Sequence, residues 1–142
     1  MLIHGDSHLG NFFVDGDNMG MLDWQAVHWG KGVRDVQYFL IDSLPLEILQ
    51  EHEQDLLQYY VDRLAAYGVE LAFEEAWQQY RGFTFHTLMT IVVSIGFGAM
   101  SKQQNQLMAE ILKRAVAAQQ RADYPAWLEE VTGTVSSTAV RN

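Results

Sequence analysis

Residues 2–24, LIHGDSHLGNFFVDGDNMGMLDW, constrain this chain more than any other stretch. Two short apolar runs, Phe12–Val14 and Met19–Leu22, flank Asp15-Gly16-Asp17-Asn18. Asp, Gly and Asn at that density make a turn, and apolar runs on either side of it make a β-hairpin. A hairpin brings the residues before its first strand next to those after its second. His4, Asp6, His8 and Asn11 are thereby set beside Asp23. Acids, an amide and imidazoles meeting at one place suit metal binding or proton transfer.

The spacing narrows the choice. His4-Gly5-Asp6 followed by Asn11 has the H-x-D-x-x-x-x-N arrangement of a kinase catalytic loop, and Asp23 follows on the far strand, where kinases keep a metal-binding Asp. Phosphoryl transfer needs a carboxylate that accepts the proton of the attacking hydroxyl, and oxygen ligands for the magnesium that neutralises the phosphates. Asp6 fits the first need. Asn11 and Asp23 fit the second. A calcium loop at D-G-D-N-M-G is excluded, because Met19 occupies a ligand position and no Glu closes the loop.

Three segments, HGDSHLGN, LDWQAVHWG and VRDVQYFL, extend the pattern to H-G-D-x-H-x-x-N, a hairpin, then D-W-x-x-x-x-x-G-x-x-x-x-D. This resembles the aminoglycoside phosphotransferase and choline kinase-like family, and the D-W-Q form is similar to its ecdysteroid-kinase-like small-molecule kinases. The motifs fill about the first third of the chain. The resemblance implies the C-terminal lobe of such a kinase and ATP- and magnesium-dependent phosphoryl transfer to a small-molecule hydroxyl. It implies Asp6 as catalytic base, Asn11 and Asp23 as metal ligands at the ATP phosphates, and His8 beside them, orienting a phosphate or bracing the loop. His4 is implied to pack under the loop, and Asp35 to brace it through hydrogen bonds to its backbone.

The same resemblance calls for a nucleotide-covering loop, a phosphate-pairing lysine and an acid that holds the lysine. Only three residues precede His4. The expectation is a lobe inactive in isolation: a fragment, a half completed by a second chain, or a lobe that stands alone. Two other functions compete. One is a non-catalytic, self-associating interaction module built on the lobe. The other is a transition-metal hydrolase using His4, Asp6, His8 and Asp23 as ligands.

Charge bears on partners. Nine basic and 18 acidic residues give a net charge of −9, which argues against a nucleic-acid partner and would suit a cationic small substrate. Cysteine is absent, so disulfides and thiolate zinc sites are excluded. With no signal-peptide pattern at Met1-Leu2-Ile3, the expected location is cytoplasmic.

Downstream, helical periodicity dominates. A helix over 33–43 carries Val36, Phe39 and Leu40 on its apolar stripe and Asp35 in its first turn. Pro45 opens a second helix to about Tyr67, with Ser43 as its cap and Gly68 after its end. Its acids Glu47, Glu51, Glu53 and Asp55 read as a solvated face. A long helix from Phe73 to about Ala99 is nearly uncharged after Phe83. It is short for a membrane span and interrupted by His86 and several hydroxyls, so it reads as a central buried helix with no membrane partner, His86 being a satisfied core residue. Ser101 caps a helix from Lys102 to about Ala122, and one more turn follows over 126–131.

The predicted fold is α+β and mostly helical: a small β-hairpin packed on a helical bundle. One domain spans 1–131, with the catalytic loop and metal-binding hairpin in 1–24 and the helices in 33–131; a flexible tail takes 132–142. On a hairpin face bearing Leu2, Phe12, Phe13, Met19 and Met21, alternation sends only about half of the side chains to the core. That face and an unpaired Leu2–Ile3 edge predict a homodimer.

Overall fold

The computed structural model describes residues 1–98 and 101–133. The fold is α+β, mostly helical, with small antiparallel sheets packed on helices. Strand β1 (Leu2–Ile3) leads through the loop 4–11 into β2 (Phe12–Asp15) and β3 (Asn18–Met21), and β4 (His28–Trp29) follows. Five helices complete the chain: α1 (Val33–Ser43), α2 (Leu46–Ala66), α3 (Phe73–Phe97), α4 (Lys102–Arg121) and α5 (Tyr124–Thr132).

The β2–β3 hairpin has the register Phe12↔Met21, Phe13↔Gly20, Val14↔Met19 and Asp15↔Asn18. Its two-residue turn places Gly16 at φ 59°, the first central position that a type II′ hairpin turn gives to glycine. The hairpin leans on α1 through Phe12, whose ring centroid lies 4.9 Å from that of Phe39.

β1 pairs antiparallel with β4, Leu2↔Trp29 and Ile3↔His28. This corrects the expected unpaired edge: Leu2–Ile3 is paired on one side, by a two-residue strand from the stretch between the hairpin and α1. Two residues are too few for periodicity to register.

α1 is the hub. Val33 and Leu40 join Leu49, Leu57, Val61, Ala76 and Tyr80 in one core, between α1, α2 and α3. Ile41, one residue on, joins Ile91, Ile111, Ala115 and Ala118 in a second, between α1, α3 and α4. A helix flanked on both sides buries almost its whole circumference, so Gln37 is fully buried and meets Thr87 Oγ1 at 2.6 Å.

Several helix details depart from expectation. Pro45 is the N-cap of α2 and no side chain caps it, so Ser43 does not play that part. Glu53 is not on a solvated face: it is 6% exposed and accepts from the Tyr80 hydroxyl and, through both oxygens, from Arg121. Helical phase carries it inward beside Leu49 and Leu57, and two donors compensate the buried charge. α3 is buried along one side only. Thr84, Thr87 and Ile91 face inward, while Met89, Val92 and Val93 stay exposed. Ser101 caps α4 in a reciprocal capping box with Gln104. α5 starts at Tyr124, with Pro125 in its first turn, where proline is favoured. Among the described residues no helix is long and apolar enough to cross a membrane. Of the expected tail, Thr132 closes α5 and Gly133 caps it; 134–142, like 99–100 at the expected end of α3, lie outside the described residues.

Candidate catalytic site

The loop 4–11 is held from below by one carboxylate. Asp35, in the first turn of α1, accepts the His4 N–H at 2.6 Å on one oxygen and the Gly5 N–H at 3.0 Å on the other. Its own carbonyl accepts the Ser7 hydroxyl at 2.7 Å. Seven residues further along α1, Asp42 receives the Leu9 N–H at 3.4 Å. Two acids about two turns apart on α1 thus fasten both ends of the loop.

His4 is buried, and its bonds fix its tautomer. The Asp6 N–H donates to Nδ1 at 3.3 Å, so the ring hydrogen is on Nε2, which donates to the Leu22 carbonyl at 2.7 Å. The ring is therefore neutral and ties the loop to the end of β3. Trp24 packs edge-on against it, 4.7 Å between centroids. With both nitrogens engaged, His4 has no lone pair for a metal. Among the described residues no three His, Cys, Asp or Glu side chains are grouped to hold one. His4 therefore does not offer the free nitrogen that the transition-metal hydrolase reading asks of it.

The structure brings Asp6, His8 and Asn11 together. Asn11 is buried and donates through Nδ2 to the Asp6 carbonyl at 2.9 Å and toward Oδ2 at 3.4 Å. His8 Nε2 lies 3.7 Å from Asp6 Oδ2. The Leu22 N–H donates to the Asn11 carbonyl at 2.7 Å, so the ladder runs one step past β2 and sets Asp23 just beyond Asn11. Asp23 stands at φ 56° and ψ 64°, a left-handed conformation that costs a non-glycine residue about 1–2 kcal/mol. Strain of that kind collects at functional positions. Its side chain is exposed.

Beside Asp6 opens a cleft of about 900 Å³, bounded by the loop, α1, α3 and α4. Asp6, Tyr38 and Asp42 line one side and Ile91, Leu107, Met108 and Ile111 the other, with Arg114 among the lining residues. Burial, then the charges of Asp6 and Asp42, push the Tyr38 hydroxyl far above its ordinary pKa, with Arg34 opposing. Burial also raises the Asp42 carboxyl, against the Leu9 N–H, His8 and Arg114. Tyr38, Asp42 and Arg114 were missed from the sequence. Spacing offered a signal for two of them, since residues 35, 38 and 42 share one helical face.

Over residues 1–73, just over half of its 142 residues, the chain matches the ecdysteroid kinase-like family. It belongs to that family. The ecdysteroid kinase-like match covers the loop 4–11, the hairpin, α1, α2 and the start of α3, and so all of the fastening just described. No curated protein and no solved structure matches the chain. Of the two resemblances, the match supports the ecdysteroid kinase-like one and a kinase-like origin.

Proposed function

We propose that this chain is the catalytic lobe of a phosphotransferase that moves the γ-phosphoryl group of ATP to the hydroxyl of a small molecule, within the wider set of aminoglycoside phosphotransferase and choline kinase-like enzymes. The single observation that carries this is Asp6 at the rim of the cleft, with its loop fastened to α1 by Asp35 and to Asn11 by the side-chain amide.

Asp6 is the base. A substrate hydroxyl lodged in the cleft gives its proton to the Asp6 carboxylate while its oxygen forms the new bond to phosphorus, and ADP leaves. The Asn11 amide nitrogen is committed to Asp6, which leaves its oxygen, with the Asp23 carboxylate, to hold a magnesium ion. Two protein oxygens suffice for magnesium, which otherwise keeps water and phosphate ligands. When bound, that ion supplies neutralisation of the phosphate charge. His8 orients a phosphate oxygen from beside Asp6. His4 and Asp35 keep the loop in place.

The cleft bears on the acceptor. Its acids are matched in part by Arg114, and its far wall sets Ile91, Leu107, Met108 and Ile111 among the uncharged polar side chains of Thr90, Ser94 and Gln104. That balance suits a neutral alcohol with a large apolar body better than the cationic substrate suggested by net charge.

The test is a titration of the purified chain and of Asp6→Ala with Mg-ATP, followed by an assay for phosphorylated alcohol in versions of both that carry an N-terminal lobe. The expected result is nucleotide binding in both proteins and turnover only with Asp6. Full turnover in Asp6→Ala overturns the assignment.

A second reading is favoured by a specific observation: Leu2, Phe13, Met19, Leu22 and Trp29 are all exposed near the hairpin. Phe13 and Met19 lie on opposite faces of the hairpin, and exposed apolar side chains on both faces fit a self-associating module without activity. No nucleotide binding together with concentration-dependent mass would favour it.

A further inference from the structure

Arg34 has no carboxylate partner among the described residues. Its Nη1 donates to His28 Nε2 at 2.5 Å, and its Nη2 to His86 Nε2 at 2.8 Å and to the Gly5 carbonyl at 3.4 Å. One guanidinium on α1 thus joins β4, α3 and the loop that carries Asp6. A guanidinium only donates, so both imidazoles face it with lone pairs. The His28 ring donates through Nδ1 to the Ala26 carbonyl at 2.8 Å, which completes a neutral tautomer. Gly5 lies hard against this assembly. At φ +84°, a Cβ on it would fall 2.4 Å from the Ala26 oxygen and 3.0 Å from the His28 ring.

We propose that Arg34 is a positioning residue for the Asp6 loop, and that it holds Gly5 in place only while His28 and His86 are both neutral. The proposal rests on the assignment of 4–11 as the catalytic loop. Protonating either imidazole replaces an acceptor by an N–H aimed at a cation. The hydrogen bond is lost and like charges meet, so Arg34 must swing away, and the wall behind Gly5 goes with it. Histidine is the side chain that makes this change near neutral pH.

The charged surroundings support the neutral state of His86. His86 faces Arg34 from α1 and His28 from β4, and its pKa is lowered by burial first and then by these two groups. No carboxylate forms an ion pair with His28, His86 or Arg34 among the described residues; Asp35, next to Arg34 in sequence, is committed to the His4 and Gly5 amides. Tyr38 also feels the Arg34 charge. Because the folded protein holds the His86 proton less tightly than the unfolded chain, the contribution of this group is complete above its ordinary pKa of 6.5 and is lost as pH falls below it.

The test is an NMR titration of the full chain from about pH 8 to about pH 5, following the His28 and His86 rings with the Gly5 and Asp6 amides. The expected result is that both amides shift with the midpoints of the two rings, and that the Gly5 amide exchanges about tenfold faster in the acid form after correction for intrinsic pH dependence. In His86→Gln, whose side-chain oxygen still accepts from Arg34 but takes no proton, the His86 part of the response disappears. In Arg34→Gln the amides are displaced at the alkaline end and no longer follow the rings. Amides that stay still while both rings titrate overturn the proposal, as does an Arg34→Gln variant with wild-type Gly5 and Asp6 shifts. No turnover is measured. Failure of the phosphotransferase assignment would therefore show as absent activity with this coupling intact, and failure of the coupling as unmoved amides whatever the activity.

Discussion

Asn11 gives its side-chain N–H to the main-chain oxygen of Asp6 at 2.9 Å. A candidate metal ligand is thus also the strut that shapes the loop of the candidate base. The Asn11→Asp variant separates the two parts. It keeps an oxygen for a cation but cannot donate, and it sets a second charge beside Asp6. The expected cost is about 1–3 kcal/mol, seen as a lower urea midpoint with an unchanged slope. An unchanged midpoint would show that the strut does not matter.

Two glycines with left-handed φ should respond differently to alanine. At Gly16 nothing lies within 4 Å of an added Cβ, so Gly16→Ala should cost only the backbone strain, about 1 kcal/mol. At Gly5 the added carbon meets main chain at 2.4 Å, which cannot rotate away. Gly5→Ala should therefore lose about 3 kcal/mol or more. Thermal melts of the pair decide it, and equal losses would contradict the close approach.

The Glu53 carboxylate is 6% exposed and serves three donor groups, the Tyr80 hydroxyl and two nitrogens of Arg121. Glu53→Ala leaves a buried hydroxyl and a half-buried cation without a partner. Removing one side of such a pair costs about 3–5 kcal/mol. A denaturant series on this variant should show it. A loss under about 1 kcal/mol would mean that water replaces the carboxylate.

Asp42 supplies a pH test. Its folded pKa is raised above 3.8, chiefly by burial, so the folded state binds this proton more tightly than the unfolded chain. Stability from this group is present below 3.8 and is lost as pH rises through the raised value. Asp42→Asn, which can still accept from the Leu9 N–H, should be more stable than wild type at neutral pH and equal to it in acid. Unfolding at several pH values measures the difference. A variant less stable at neutral pH would contradict the sign.

Self-association is expected from the exposed apolar side chains at the hairpin and β1. Leu2 is 57%, Met19 64% and Trp29 79% exposed. A single self-complementary surface covers such side chains in a two-fold dimer. Light scattering over a concentration series should give twice the chain mass, returning to one with Met19→Lys. One chain mass at every concentration would reject the dimer.

The hairpin, α1 and the meeting of Asp6 with Asn11 were legible in the sequence because turn chemistry, helical period and motif spacing are local signals. What escaped depends on distant partners. Glu53 looks like any helix acid until Tyr80 and Arg121 arrive from α3 and α4. β4 exists only because β1 lies beside it. The cleft is assembled by α3 and α4, whose register against α1 no single segment encodes. Arg34 and His86 stand 52 positions apart, and nothing in either segment announces the other.

The fastening of the loop to α1 has a consequence in time. The bonds from His4, Gly5, Ser7 and Leu9 span 28 to 33 residues, and their receivers lie on one helix. During folding the loop has little to settle on until α1 has formed and docked. In the folded protein, fraying of the first turn of α1 would dissolve the site while both cores stay closed, since local openings need far less free energy than global unfolding. The arrangement of the candidate site should therefore be the first thing that warming takes away and the last that refolding restores.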